Sequence, residues 1–158
     1  MTTTTPAMAP NPHRPSRWPR QLAFATAAWL LAAAWGSVVQ TQFNLQALVA
    51  LGVDVPLRQR VLTTLQDLAG FAPVYAGILA AGWLPALVLA AVLAHRWPAA
   101  RTAFFTSAAG LGMVAAVRAV DAAAPMPVFI DATRGWPGLL TMAAGAAWGG
   151  WLWARAAR

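Results

Sequence analysis

Apolar residues fill four long blocks of this chain, at Gln21 to Val39, Phe71 to Ala94, Thr102 to about Val120, and Gly135 to Ala154. Each comes close to the roughly 20 residues that an α-helix needs to cross a hydrocarbon core about 30 Å thick. Within the blocks the apolar positions are continuous and show no period of two, which excludes barrel strands. A backbone surrounded by lipid must then satisfy its own hydrogen bonds as a helix. The pattern predicts an all-α membrane protein, a four-transmembrane-helix bundle with an external amphipathic helical loop between helices 1 and 2. Residues 1–19 form a predicted disordered tail, and residues 20–158 a single transmembrane domain.

Between the first two blocks the pattern changes. Residues 40–70 are too long for a simple turn and should hold structure of their own. Leu57, Val61, Leu65 and Leu68 recur at helical spacing, with Arg58, Gln59, Arg60, Thr63, Thr64, Gln66 and Asp67 around the rest of the circumference. That is an amphipathic helix. Pro56 opens it, with Asp54 placed to favour its positive end. The preceding NLQALVALG, ended by Gly52, makes a shorter apolar piece that pairs with it as a hairpin cap over the bundle. Arg58, Arg60 and Gln66 are the candidate face for an external partner. Gln40, Gln42 and Asn44 open the same loop. In the second block, Pro85 should kink the helix and free the carbonyl of Ala81.

Composition agrees with this pattern. The chain has 158 residues, 59% of them hydrophobic and only 9% charged, far from the ~25% charged residues of soluble domains. Its net charge of +7 does not indicate nucleic acid, because the basic residues punctuate apolar segments and do not gather on one solvated face. All basic side chains are Arg and none is Lys, a usage that fits a GC-rich bacterial genome. There is no cysteine, which removes disulfides and thiol chemistry.

The charges also set a direction. Arg14, Arg17, Arg20, Arg96, Arg101, Arg155 and Arg158 fall on one side of the predicted membrane, unaccompanied by any acid. Arg58, Arg60, Arg118 and Arg134 share the other side with Asp54, Asp67, Asp121 and Asp131. By the positive-inside rule both termini are cytoplasmic, in a multi-pass protein of the bacterial inner membrane. The rival for the first block is a cleaved signal peptide, but the block is longer than the usual apolar core of such leaders and carries Trp29 and Trp35.

Candidate chemistry is sparse. Arg118 and Asp121 stand three apart near the end of the third block and form a candidate ion pair, read as an interfacial anchor. Asp131 and Arg134 have the same spacing. Thr141, Gly145 and Gly149 repeat every four residues, a candidate helix-packing seam within the chain or between two copies. Trp29, Trp35, Trp83 and Trp148 lie inside spans, where an indole N–H needs an acceptor. The histidines, His13 and His95, stand outside the spans, so facing axial ligands for a haem are missing. No catalytic, metal or cofactor motif emerges, and none is assigned. The function expected is a non-enzymatic accessory or scaffold subunit in the lipid bilayer, binding a membrane-protein partner, an external partner or a second copy, with no nucleic acid. The alternatives are a carrier or channel for a small or apolar solute, which Pro85 and the interior tryptophans would support by lining one cavity, and a lipid-handling enzyme.

Overall fold

The computed structural model describes residues 18–124 and 130–156. Four helices dominate them: α1 (Trp18–Ala50), α2 (Leu57–Arg96), α3 (Arg101–Ala123) and α4 (Trp136–Ala156). Short 3₁₀ turns at Pro98–Ala100 and Asp131–Arg134 precede α3 and α4. The helices pack in a ring, α1 on α2, α2 on α3, α3 on α4 and α4 on α1. The tail assigned to residues 1–19 lies almost wholly outside the described residues.

α1, α2 and α3, the last taken with its leading turn, are each long and apolar enough to cross a membrane, consistent with a multi-pass membrane protein. α4 has 21 residues and falls outside that group. Trp136, Trp148, Trp151 and Trp153, with Gly138, Gly145, Gly149 and Gly150, dilute the hydropathy of its Leu, Met and Ala residues.

The segment 40–70 differs from the expected separate cap. α1 continues through Val39 without a break to Ala50, and α2 runs uninterrupted from Leu57 into the second apolar block. Nothing between Gln40 and Ala50 stops a helix, since neither Gly nor Pro occurs there. At the other boundary Gly70 and Pro73 are absorbed within α2. A proline removes one backbone hydrogen bond, and packing against α1 and α3 maintains the helix on either side of it.

The turn itself is brief. Gly52 has φ +86, its N–H reaches the Val49 carbonyl at 3.0 Å, and the Val53 N–H reaches the Leu48 carbonyl at 3.1 Å. This is a Schellman ending, in which a left-handed residue lets two orphan carbonyls be satisfied. Pro56, in extended conformation, then opens α2.

Helix lengths determine the shape. At 1.5 Å per residue, the 40 residues of α2 and 33 of α1 make rods of about 60 and 50 Å, against about 34 and 32 Å for α3 and α4. α2 and α3 are flush where the Pro98–Ala100 turn joins them. The surplus therefore lies entirely at the other end, where α1 and α2 project as a helical hairpin.

The core runs along the bundle axis through Leu79, Trp83, Ala109, Met113, Val117, Leu139 and Met142. At the end where α1 begins and α4 ends, three arginines lie over aromatic rings: Arg20 over Phe24, Arg101 over Phe105 and Arg155 over Trp151, at 5.5, 4.7 and 4.8 Å from the ring centres. Such cation–π pairs suit an interfacial layer.

Candidate functional site

The projecting hairpin is polar inside and apolar outside. Thr41 of α1 meets Asp67 of α2, the hydroxyl donating to Oδ2 at 2.6 Å, with the Ser37 carbonyl as an alternative acceptor at 2.9 Å. One turn further out, Gln42 Nε2 donates to Thr64 Oγ1 at 3.0 Å, and Gln42 Oε1 accepts from Arg60 at 3.4 Å. Gln40 accepts the Ala132 backbone N–H at 2.8 Å, tying the turn before α4 to α1. Of the amides that open the segment, Gln42 thus joins α1 to α2, Gln40 joins α1 to the turn before α4, and Asn44 accepts from Gln40 within α1.

Leu45 of this segment is buried and Phe43 packs against the core, but many of its other apolar residues face outward. Leu57 is 76% exposed, Val61 50% and Leu65 58%, and Leu48, Val49, Leu51, Val53 and Leu62 are exposed as well. Leu57, Val61 and Leu65 border a shallow groove of about 270 Å³ whose other wall includes Gln42. Of the expected partner face, Arg58 and Gln66 are exposed. Arg60 instead turns inward to Gln42.

Arg118 and Asp121 do approach each other, with 3.9 Å between Nη1 and Oδ2. The arginine side chain is 52% exposed and the aspartate only 11%. Asp131 and Arg134 make a shorter contact of 2.7 Å in an exposed setting; Met126 to Phe129, in the same sequence segment, lie outside the described residues.

The stripe on α4 packs within the bundle. A Cβ at Gly145 would stand 2.5 Å from Trp35 Nε1, and one at Gly149 would stand 2.9 Å from Trp83 and 3.0 Å from the Ala28 carbonyl. Thr141 contributes its backbone carbonyl, which accepts Trp35 Nε1–H at 3.0 Å. Gly145 and Gly149 are buried against α1 and α2.

Trp29 and Trp83 follow the same rule as Trp35. Their indole N–H groups donate to the carbonyls of Ala76 and Ala109 at 3.1 and 3.0 Å, each on another helix. Each acceptor lies within a helix, where a carbonyl's second lone pair remains free for such a bond. Trp148 differs, being 54% exposed.

Two apolar grooves run along the bundle. One, of about 600 Å³, lies between α2 and α3 and includes Pro85. The other, of about 420 Å³, lies along α1 and α2 and includes Trp29, Trp83 and Trp153. Pro85 and two of the interior tryptophans, Trp29 and Trp83, therefore line different grooves. Among the described residues no three His, Cys, Asp or Glu side chains gather as metal ligands. No family model, curated protein or solved structure matches the chain.

Proposed function

We propose that the chain is a four-span protein of a bacterial inner membrane, with both termini cytoplasmic, that acts as a non-enzymatic scaffold and binds an external protein partner through the α1–α2 hairpin. The observation that carries this is the inverted patterning of the hairpin. Thr41, Gln42, Arg60, Thr64 and Asp67 bond between the two helices, while Leu57, Val61 and Leu65 face outward on a segment that extends past the ends of α3 and α4.

Exposed apolar surface of this kind marks an interaction site. A helix with an apolar ridge, laid along the groove bordered by Leu57, Val61 and Leu65, is the partner chemistry that fits, with Arg58 and Gln66 at the rim. α4 supplies the fourth span: its glycines seat it against α1 and α2, and Arg155 over Trp151 fits an interfacial end. A carrier is less well supported, because Pro85 lines the α2–α3 groove while Trp29 and Trp83 line the one along α1 and α2.

A photoreactive residue at Leu57, Val61 or Leu65 should crosslink in cells to a discrete protein, and one at Leu89 in the bundle should not. Crosslinking to lipid alone at all three hairpin positions would overturn the scaffold proposal. Insertion is tested separately. Reporters active only in the cytoplasm should work at both termini, and one active only outside should work at Gly52. An external amino terminus would overturn the orientation.

A further inference from the structure

We infer that the outward face of α4 pairs with the same face of a second copy of this chain, each Trp148 indole donating its N–H to the Leu140 carbonyl of the other copy. The inference rests on α4 being the fourth span, as proposed above and tested separately by the topology reporters, and it does not depend on the hairpin's partner.

Trp148 is the exception among the interior tryptophans. Trp29, Trp35 and Trp83 each donate to a carbonyl on another helix, at 3.1, 3.0 and 3.0 Å. Trp148 is 54% exposed, and its N–H has no acceptor among the described residues. Depth makes that N–H costly. Trp148 stands about 18 Å along α4 from Trp136 and about 10 Å short of Arg155, at 1.5 Å per residue. Its side chain leans toward the start of the helix, further from the Arg155 end. Across a hydrocarbon core about 30 Å thick, lipid tails surround the ring, and they accept no hydrogen bond. The acceptor has to come from protein.

Trp35 shows what such an acceptor needs. Its ring lies over Gly145, where a Cβ would stand 2.5 Å from Nε1, and its N–H reaches the carbonyl of Thr141, one turn earlier on α4. A small residue lets the indole approach the carbonyl four positions before it. The outward face of α4 repeats this arrangement: Ala144 is exposed, and Leu140, one turn before it, is 60% exposed. Leu140, Ala144 and Trp148 are spaced i, i+4 and i+8 and share that face. Donor, seat and acceptor thus lie on one stripe, which makes the face self-complementary, as a two-fold contact requires. Two copies inserted in the same direction set their α4 helices parallel. Each Trp148 ring, leaning back by about one turn, then meets Ala144 of the other copy beside the Leu140 carbonyl. A foreign helix would need its own small residue at that level, whereas a second copy brings Ala144 there by symmetry.

The chain has no cysteine, so single introduced cysteines report the contact directly. Ala144→Cys, oxidised in native membranes, should form a disulfide-linked homodimer. Leu89→Cys, 60% exposed on α2, should not. Native mass spectrometry of the full-length chain in mild detergent should show dimers. Trp148→Phe keeps an aromatic ring and loses the N–H, and should weaken them about tenfold because two hydrogen bonds go together. Ala144→Leu should abolish them by filling the seat. Both positions are exposed, so both variants should keep wild-type helicity by circular dichroism. Failure of Ala144→Cys to link to itself, a crosslink from position 144 to a different protein, or undiminished dimers in Trp148→Phe overturns the pairing. A carboxyl terminus found outside overturns the fourth span and the inference with it.

Discussion

Replacing Gly145 by alanine adds one methyl group where α4 meets Trp35. That methyl would lie 2.5 Å from Nε1 and 2.6 Å from Cγ of the indole, whereas carbon contacts settle near 3.5–4.0 Å. The ring must therefore retreat by roughly 1 Å or more, which stretches the 3.0 Å bond from Trp35 to the Thr141 carbonyl beyond hydrogen-bonding range. Overpacking costs about 1–3 kcal/mol and the lost bond about 0.5–1.5 kcal/mol. Alanine's helix preference over glycine returns up to ~1 kcal/mol. The net loss is about 0.5–4.5 kcal/mol, a fall in Tm of roughly 1–18 °C for a chain of this size. Thermal unfolding in mild detergent, followed by circular dichroism, measures it. In a Trp35→Ala background the clash is gone and only the helix preference remains, so Gly145→Ala should there be neutral or stabilising. The reasoning is refuted if Gly145→Ala matches wild type, or if it costs the same with and without Trp35.

Thr41→Val should destabilise the hairpin by about 1–3 kcal/mol by stranding the Asp67 carboxylate, and Thr41→Ser should restore it; equal stability of the two variants in detergent unfolding would contradict the polar seam. Asp121→Asn should leave Tm nearly unchanged, because its contact with the half-exposed Arg118 is long, at 3.9 Å, and such a pair is worth about 0–1 kcal/mol; a loss above ~3 kcal/mol would mark a buried pair. Tyr75→Phe should be neutral or raise Tm, since the Tyr75 hydroxyl is buried with no hydrogen-bond partner among the described residues and phenylalanine avoids that desolvation; a clear drop would reveal a partner.

Helix placement was legible in the sequence wherever hydrophobicity alone decided it. The blocks at 21–39, 71–94, 102–120 and 135–154 each lie within or nearly coincide with one helix, because an apolar run of that length has few other ways to satisfy its backbone. The start of α2 after Pro56 and the role of Gly52 were equally local, set by a ring-locked φ and by a left-handed turn. The i, i+3 spacing of Arg118 and Asp121 likewise implied their approach.

Tertiary structure decided what local pattern leaves open. Gln40, Gln42 and Asn44 read as the start of a loop because polar residues end an apolar block, but the chain stays helical there, with partners for Gln42 on α2, for Gln40 at the Ala132 backbone and for Asn44 at Gln40. The apolar stripe of Leu57, Val61 and Leu65 predicted a helix lying over the bundle with its polar face outward, but in the structure the stripe faces outward instead. It turns outward because Thr64 and Asp67 of the same helix, and the Arg60 guanidinium, find their partners on α1. Spacing likewise could not show whether Gly145 and Gly149 face a neighbouring helix or a second copy. The indole rings of Trp35 and Trp83 fill the space those glycines leave, and three-dimensional fit between residues more than 60 positions apart is not encoded in any local period.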